Sequence, residues 1–271
     1  MNLELCYDFK SMANNIFNRG SNYILNNVNI KSLVIGLSGG VDSTLSAALA
    51  RRICDLCKIP LIGMSLPTSL NKKPEKDNAK RTGIAFCDEF NTVDIEDRVE
   101  YIMYRLPANR HGKSTMRYGN IIARLRMIFL YDAASNNRGL VLSTDNFTEY
   151  MLGFWTLHGD VGDLGLIQGM WKTEVYGLAE YLFTEYIASG KTECAEALFQ
   201  SIRAVPTDGL GITDSDLDQI GASSYREVDD LLIEFLSGRM SYYGHPVLER
   251  NLNFAYKRMN PHNVKREDIM K

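Results

Sequence analysis

Residues Leu33-Val34-Ile35-Gly36-Leu37-Ser38-Gly39-Gly40-Val41-Asp42-Ser43-Thr44 decide the fold. The run 33–37 is apolar, the pattern of a short strand buried on both faces. It breaks at Ser38-Gly39-Gly40, and from Ser43 onward the chain reads as a helix. A strand, a sharp turn and a helix start in immediate succession aim several backbone N–H groups at one point. The helix adds the positive end of its dipole, which suits the turn to hold phosphate oxygens. Gly39 and Gly40 permit positive φ and remove the Cβ atoms that would block a close ligand. Ser38 and Ser43 add hydroxyl donors.

The turn is not the phosphate loop that ends in Gly-Lys-Ser/Thr, where a lysine meets the β- and γ-phosphates. Asp42 stands near the helix start instead. A carboxylate beside a polyphosphate is tolerable when it reaches a bound cation, and Mg²⁺ favours carboxylate plus phosphate oxygens. The plainer reading makes Asp42 and Ser43 ordinary helix caps. Caps, however, seldom follow directly on Ser-Gly-Gly.

Outward from this turn, β-branched runs at 33–37, 61–66, 92–95 and 140–143 alternate with helical patterns near 43–57, 75–90, 96–106 and 119–136. A further helix is expected over 11–27, and two close the chain at 225–237 and 246–259. Each strand–helix–strand step is long enough for a crossover connection. The fold class is therefore α/β: a doubly wound, mostly parallel sheet flanked by helices, with C-terminal helices added. Such a sheet binds ligands at the carboxyl ends of its strands, the edge where the glycine turn, Thr144 and Asp145 are expected. Polar stretches at 67–78 and 204–224 read as connectors or as lids. No repeat, low-complexity tract or domain boundary is visible over 1–271, so a single domain is expected.

The 271 residues are 45% hydrophobic and 23% charged, enough for a substantial core. A net charge of −3 and a pI near 5.9 argue against a dedicated nucleic-acid binder. No secretory signal and no apolar run of membrane-spanning length is present, so a cytoplasmic protein without a membrane partner is expected. Cys6, Cys54, Cys57, Cys87 and Cys194 are odd in number and scattered, poor material for a disulfide framework. Cys54 and Cys57 have half the spacing of a zinc site, but no second pair completes it.

Two further stretches carry candidate chemistry. In Ser143-Thr144-Asp145-Asn146-Phe147-Thr148-Glu149, Glu149 lies one helical turn beyond Asp145. Either this is a capped helix with an acid in its first turn, or Glu149 meets the cation that Asp42 reaches. Over 119–134, Ile121, Leu125, Ile128 and Phe129 read as a buried stripe, while Arg124 and Arg126 point to different faces. One of the two can grip an anion through its planar fork, but the residues alone favour a solvated face for both.

The segment 36–43 resembles the pyrophosphate-binding loop of the N-type ATP pyrophosphatases (adenine nucleotide alpha hydrolase-like, Rossmann-like folds). Gly119-Asn120, Ala123-Arg124-Leu125-Arg126-Met127 and Tyr131 resemble the NAD⁺ synthetases within that superfamily. So do Thr144-Asp145-Asn146-Phe147-Thr148-Glu149, Gly153-Phe154-Trp155-Thr156, Gly159-Asp160, Lys172-Thr173-Glu174-Val175, Pro206-Thr207 and Tyr256-Lys257-Arg258. The resemblance spans about 15–261, nearly the whole chain.

It implies ATP-dependent amidation of nicotinic acid adenine dinucleotide by ammonia, through an acyl-adenylate, giving NAD⁺, AMP and pyrophosphate. By position, Gly36, Leu37, Ser38, Gly39, Gly40, Val41, Asp42 and Ser43 would cradle ATP, with Thr144, Lys172 and Thr207 facing it. Asp42 and Glu149 would bind Mg²⁺, and Asp42 and Lys172 would carry catalysis. Arg124, Asp163, Tyr256 and Lys257 would contact the dinucleotide. The family is usually a homodimer. The synthetase pattern begins almost at once, leaving no room for a glutaminase domain, so free ammonia is expected as the nitrogen source. The alternatives are another adenylating ligase of the superfamily acting on a different carboxylate, or a non-catalytic nucleotide-binding relative. The chain departs from the family at Leu157, where lysine is usual, at Tyr256, where histidine is common, and by one residue deleted between Gly159 and Asp163.

Overall fold

The side chains of the first strand alternate between two cores. In β1 (Ser32–Gly36), Leu33 and Ile35 enter one apolar cluster and Val34 enters another, all three fully buried. Period-2 alternation with apolar residues on both faces is possible only where helices cover both sides of the sheet. The computed structural model describes residues 3–107, 115–206 and 215–266, and in it β1 lies at the centre of a five-stranded sheet ordered β3-β2-β1-β4-β5. All pairings are parallel, as expected. The other strands are β2 (Leu61–Ser65), β3 (Glu89–Thr92), β4 (Gly139–Ser143) and β5 (Leu164–Gly165).

One face is covered by α1 (Phe9–Asn26), α2 (Val41–Cys57), α3 (Lys73–Phe86), α7 (Lys172–Ala188) and α8 (Thr192–Arg203). On the other lie α4 (Glu96–Arg105) and α5 (Thr115–Asn136). A third cluster, built on Phe147, Trp171, Val228, Leu232, Val247 and Leu248, joins α6 (Phe147–Leu152) to the C-terminal helices. Those helices are α10 (Tyr225–Leu236), α11 (Pro246–Asn253) and α12 (Ala255–Arg258), with the short α9 (Asp216–Ile220) before them.

Several expected boundaries shift. The third strand is Glu89–Thr92 rather than 92–95, and its register pairs Ile62 with Glu89 and Ser65 with Thr92. It is an outer strand with mostly exposed side chains, so its sequence is polar and lacks the β-branched signal. Helix α3 begins inside the polar stretch 67–78, with Pro74 in its first turn and Glu75 accepting from the Lys72 N–H at 3.3 Å. The C-terminal helix expected over 246–259 is interrupted at Phe254. Helices α7 and α8 and the two-residue β5 lie beyond the elements expected from the sequence. On α5 the buried stripe is Ile122, Leu125 and Leu130, whereas Ile128 is 64% exposed.

The order β3-β2-β1-β4-β5 places the site. The chain moves outward from β1 to β3, then returns to pair β4 on the other side of β1. The loops leaving the neighbouring strands β1 and β4 therefore lie side by side and open a crevice at the carboxyl ends of these two strands. Layering of this kind makes a stability prediction. Truncating Ile35 to Ala should cost about 2–5 kcal/mol in urea unfolding, whereas Ile128→Ala should stay within about 0.5 kcal/mol. Equal losses for the two variants would contradict the assignment of their faces.

Candidate active site

A cleft of about 340 Å³ opens where that topology puts it, lined by the turn after β1, the turn after β4 and the start of α7. The first wall is the glycine turn. Gly39 takes φ +91°, and a Cβ there would lie 2.2 Å from the Glu75 carbonyl oxygen. Close approach to α3 and left-handed backbone thus both require glycine at this position. The Ser43 hydroxyl donates to the Gly40 carbonyl at 3.1 Å, and Ser38 Oγ stands 3.1 Å from Ser43 Oγ. Ser38 Oγ also accepts from the Gly40 N–H at 3.3 Å. These bonds stiffen the bend. No side chain caps the start of α2 at Gly40. The capping explanation of Asp42 and Ser43 fails on this point: neither side chain is spent on the first-turn N–H groups.

Asp42 instead reaches across the crevice. Its Oδ1 accepts from Asn146 Nδ2 at 2.8 Å, and its Oδ2 accepts a short bond from Lys172 Nζ. Asn146 is also the N-cap of α6, accepting from the Glu149 N–H at 2.9 Å while Glu149 Oε2 accepts from the Asn146 N–H at 3.3 Å. That capping box turns the other carboxylate oxygen of Glu149 toward Lys172 Nζ, 3.3 Å away. Glu149 therefore caps its helix and also meets the ammonium that Asp42 meets.

Lys172 is 2% exposed and is the first residue of α7. Burial disfavours its charge, but Asp42 and Glu149 more than offset this and hold it protonated. The Tyr225 ring lies 5.2 Å from its ammonium. Burial raises the Glu149 carboxyl; Lys172 opposes the shift, and the nearby Asp42 and Asp145 add to it. Asp145 accepts from the Ser143 hydroxyl at 2.6 Å, yet burial carries it up to about 6. Asp160, which accepts from the Thr156 N–H at 2.9 Å, is carried up to about 7 by burial and by Asp145.

Two carboxylates converging on one buried cation form a donor set that fits Mg²⁺. Among the described residues no cluster of three or more acidic, histidine or cysteine ligands is gathered. Mg²⁺ commonly needs only one or two protein carboxylates when substrate phosphates and water complete its octahedron.

Of the expected nucleotide residues, Gly36, Leu37, Ser38, Gly39, Gly40, Val41, Asp42, Thr144 and Lys172 line the cleft, and Ser43 supports it from behind. Thr207 falls outside the described residues. The four residues expected to meet the dinucleotide do not line the cleft. Arg124 is exposed and donates to the Leu157 carbonyl at 3.0 Å. Asp163 accepts from the Val141 N–H at 3.0 Å and from the Tyr131 hydroxyl at 2.9 Å. Lys257 Nζ donates to the carbonyls of Gly153 and Trp155 at 2.7 and 2.5 Å, and Tyr256 is 53% exposed.

Arg126 is the guanidinium that faces the cleft, donating to the Leu66 carbonyl and to Asn71 Oδ1, each at 3.0 Å. Its signal was present in the sequence, because it stands four residues from both Ile122 and Leu130 on the buried face of α5. Asp160 and Asn146 carry no comparable signal; only folding brings them to the cleft.

The NAD synthase family profile matches residues 16–248. The chain belongs to the NAD synthase family. Among curated members, the NH₃-dependent NAD⁺ synthetase of Thermoplasma acidophilum is 30% identical over 241 residues, covering 87% of this chain and 91% of its own. That of Methanosarcina mazei is 33% identical over 205 residues, covering 75% and 73%. The solved NMN synthetase of Francisella tularensis superposes with a TM-score of 0.76 at 25% identity, covering 97% of this chain and all of that one. The NH₃-dependent NAD synthetase of Campylobacter jejuni shares the fold with a TM-score of 0.69, covering 95% and 99%. The α/β class read from the sequence is thus the fold of NAD synthase family members.

Asp160 makes the ligand-free cleft pH-sensitive. A raised carboxyl favours the neutral folded form, so its contribution to stability is complete below the ordinary value of 3.8 and is lost as pH rises through about 7. The gain in Tm on Asp160→Asn should therefore be larger at pH 8 than at pH 5. An equal gain at both would contradict a buried carboxyl here.

Proposed function

We propose that this chain is an ammonia-dependent NAD⁺ synthetase, a ligase that uses ATP to amidate the nicotinate carboxylate of nicotinic acid adenine dinucleotide. The observation that carries the reading is the convergence of Asp42 and Glu149 on Lys172 beside the glycine turn. A carboxylate is too poor an acylating group for ammonia to attack, so it must first gain a leaving group. One carboxylate oxygen attacks the α-phosphorus of ATP and pyrophosphate departs. Ammonia then adds to the acyl carbon of the adenylate, loses a proton and expels AMP.

Negative charge gathers on the departing pyrophosphate, so this chain's task is to place positive charge and N–H donors there in advance. The Gly36–Ser43 turn offers its N–H groups, and Thr144 adds a hydroxyl at the end of β4. Lys172 holds a fixed ammonium within the same wall. Asp42 and Glu149 are the residues that would hold Mg²⁺, which when bound neutralises phosphate charge. No protein nucleophile is needed, and none of the cysteines lines the cleft. Arg126, Asn71 and Glu75 form the opposite wall and are assigned to the polar groups of the bound substrates. Contacts of Arg124, Asp163, Tyr256 and Lys257 with the dinucleotide rest on the family resemblance; here Asp163 holds the Val141 N–H of β4 and Lys257 the carbonyls of Gly153 and Trp155.

A homodimer fits the exposed side chains of Tyr101 and Tyr104 on α4 and of Met116 and Ile128 on α5, which pack side by side. No described helix is long and apolar enough to cross a membrane, which agrees with a cytoplasmic location.

A second substrate is favoured by one observation, the likeness to an NMN synthetase over the whole of its chain. Amidation of the mononucleotide acid needs the same adenylation and one nucleotide less of binding surface. Incubation with Mg-ATP, ammonium and either nicotinic acid adenine dinucleotide or the mononucleotide should yield the amide, AMP and pyrophosphate. A higher kcat/KM for the dinucleotide supports the first reading, and a higher value for the mononucleotide supports the second. ADP as product, or ATP cleavage that depends on neither acid, would reject both.

A further inference from the structure

The N-cap of α7 is Trp171, whose side chain accepts nothing and whose N–H donates to Glu174 Oε2 at 2.9 Å. The next two N–H groups, in the turn that places Lys172, receive acceptors from other helices. The Lys172 N–H donates to Thr148 Oγ1 at 2.7 Å, and the Thr173 N–H donates to Asp229 Oδ2 at 2.8 Å. The other oxygen of Asp229 accepts from the Thr148 hydroxyl at 2.5 Å. Asp229 comes from α10 and is fully buried. Burial pushes its carboxyl up, and the bonds from Thr148 and Thr173 oppose that shift.

Thr148 is followed directly by Glu149, and Thr173 directly follows Lys172. One carboxylate therefore ties the helix start that bears the acid to the helix start that bears the ammonium. A carboxylate is suited to this, because a helix N-terminus leaves N–H donors unpaired and favours negative charge. An amide in the same place has one acceptor oxygen and no charge, so its NH₂ would meet Thr148 as a donor and the Thr148 hydroxyl would lose its acceptor.

We propose that Asp229 is a positioning residue for the reaction, setting Lys172 at the place where it meets Glu149 and Asp42 together. The inference rests on the reading of these three groups as the metal and phosphate site. Asp229 touches no substrate atom itself; it acts through Thr148 and the first turn of α7.

The test uses the full chain, with Asp229→Asn as the first variant and Thr148→Val and Thr148→Ser as a second pair. Three quantities are read: kcat, the Mg²⁺ concentration for half-saturation, and the calorimetric Kd for Mg²⁺ with a nonhydrolysable ATP analogue. Asp229→Asn should lower kcat and weaken the calorimetric Kd by about 10- to 100-fold, the usual cost of losing a group that orients metal ligands. The Mg²⁺ midpoint should rise, while KM for the carboxylate substrate stays unchanged. Thr148→Val should reproduce these shifts, and Thr148→Ser, which keeps the hydroxyl, should recover them even if Asp229→Asn fails to fold.

A merely structural Asp229 would give a lower Tm with kcat per folded molecule, Mg²⁺ midpoint and Kd all unmoved, and that result overturns the proposal. If the wild-type chain itself binds no Mg²⁺ with the analogue, the reading of the site falls and the role of Asp229 falls with it. Wild-type binding with unmoved variants removes only the role of Asp229.

Discussion

The structure turns on one buried ammonium. Lys172 sits out of water between Asp42 and Glu149, and each of the three would be costly to bury alone. Two carboxylates close together repel, and one lysine in a dry cleft favours losing its proton. Together they are compatible, which explains why three separate segments of the chain are held at one point. The arrangement does not maximise stability, since a buried ion pair rarely does better than an apolar replacement. It keeps charge ready in a place where charge will appear.

The sheet supplies the frame for that meeting. Asp42 follows β1 and Glu149 follows β4, and these strands are neighbours although about a hundred residues separate them in the chain. Their loops border the same crevice. Asn146 spans the gap, binding Asp42 with its amide nitrogen and the start of α6 with its oxygen. A side chain with a donor and an acceptor at one tip can do this; neither aspartate nor leucine, its nearest counterparts in size, offers both.

Much of this was legible in the order of residues. The apolar run before Ser38-Gly39-Gly40 implies a central strand ending in a glycine bend, and both are there. Glu149 was ambiguous because a helix cap and a metal ligand ask for the same acid at the same position; the cap is there, and the free oxygen faces Lys172. The outer strand at Glu89–Thr92 escaped because it is covered on one side only and has no need of β-branched residues. Arg126 was within reach of a stricter count, since an arginine in the middle of an apolar face needs a reason to be there. Asp160, Asn146 and Asp229 were not legible, because their partners are distant in the chain and their side chains are ordinary in any local window. Periodicity reports which face is dry, and it does not report which polar group crosses to another element.

The turn after α6 has a consequence for how the molecule comes into being. The carbonyls of Met151, Gly153 and Trp155 are held by Arg258 and Lys257, roughly a hundred positions later. While the chain emerges from the ribosome, the sheet, the glycine bend and the lysine are all available before this clasp exists. That turn is fastened only once the tail is out, and chains cut short before Lys257 would keep the sheet yet lose the three bonds that hold it.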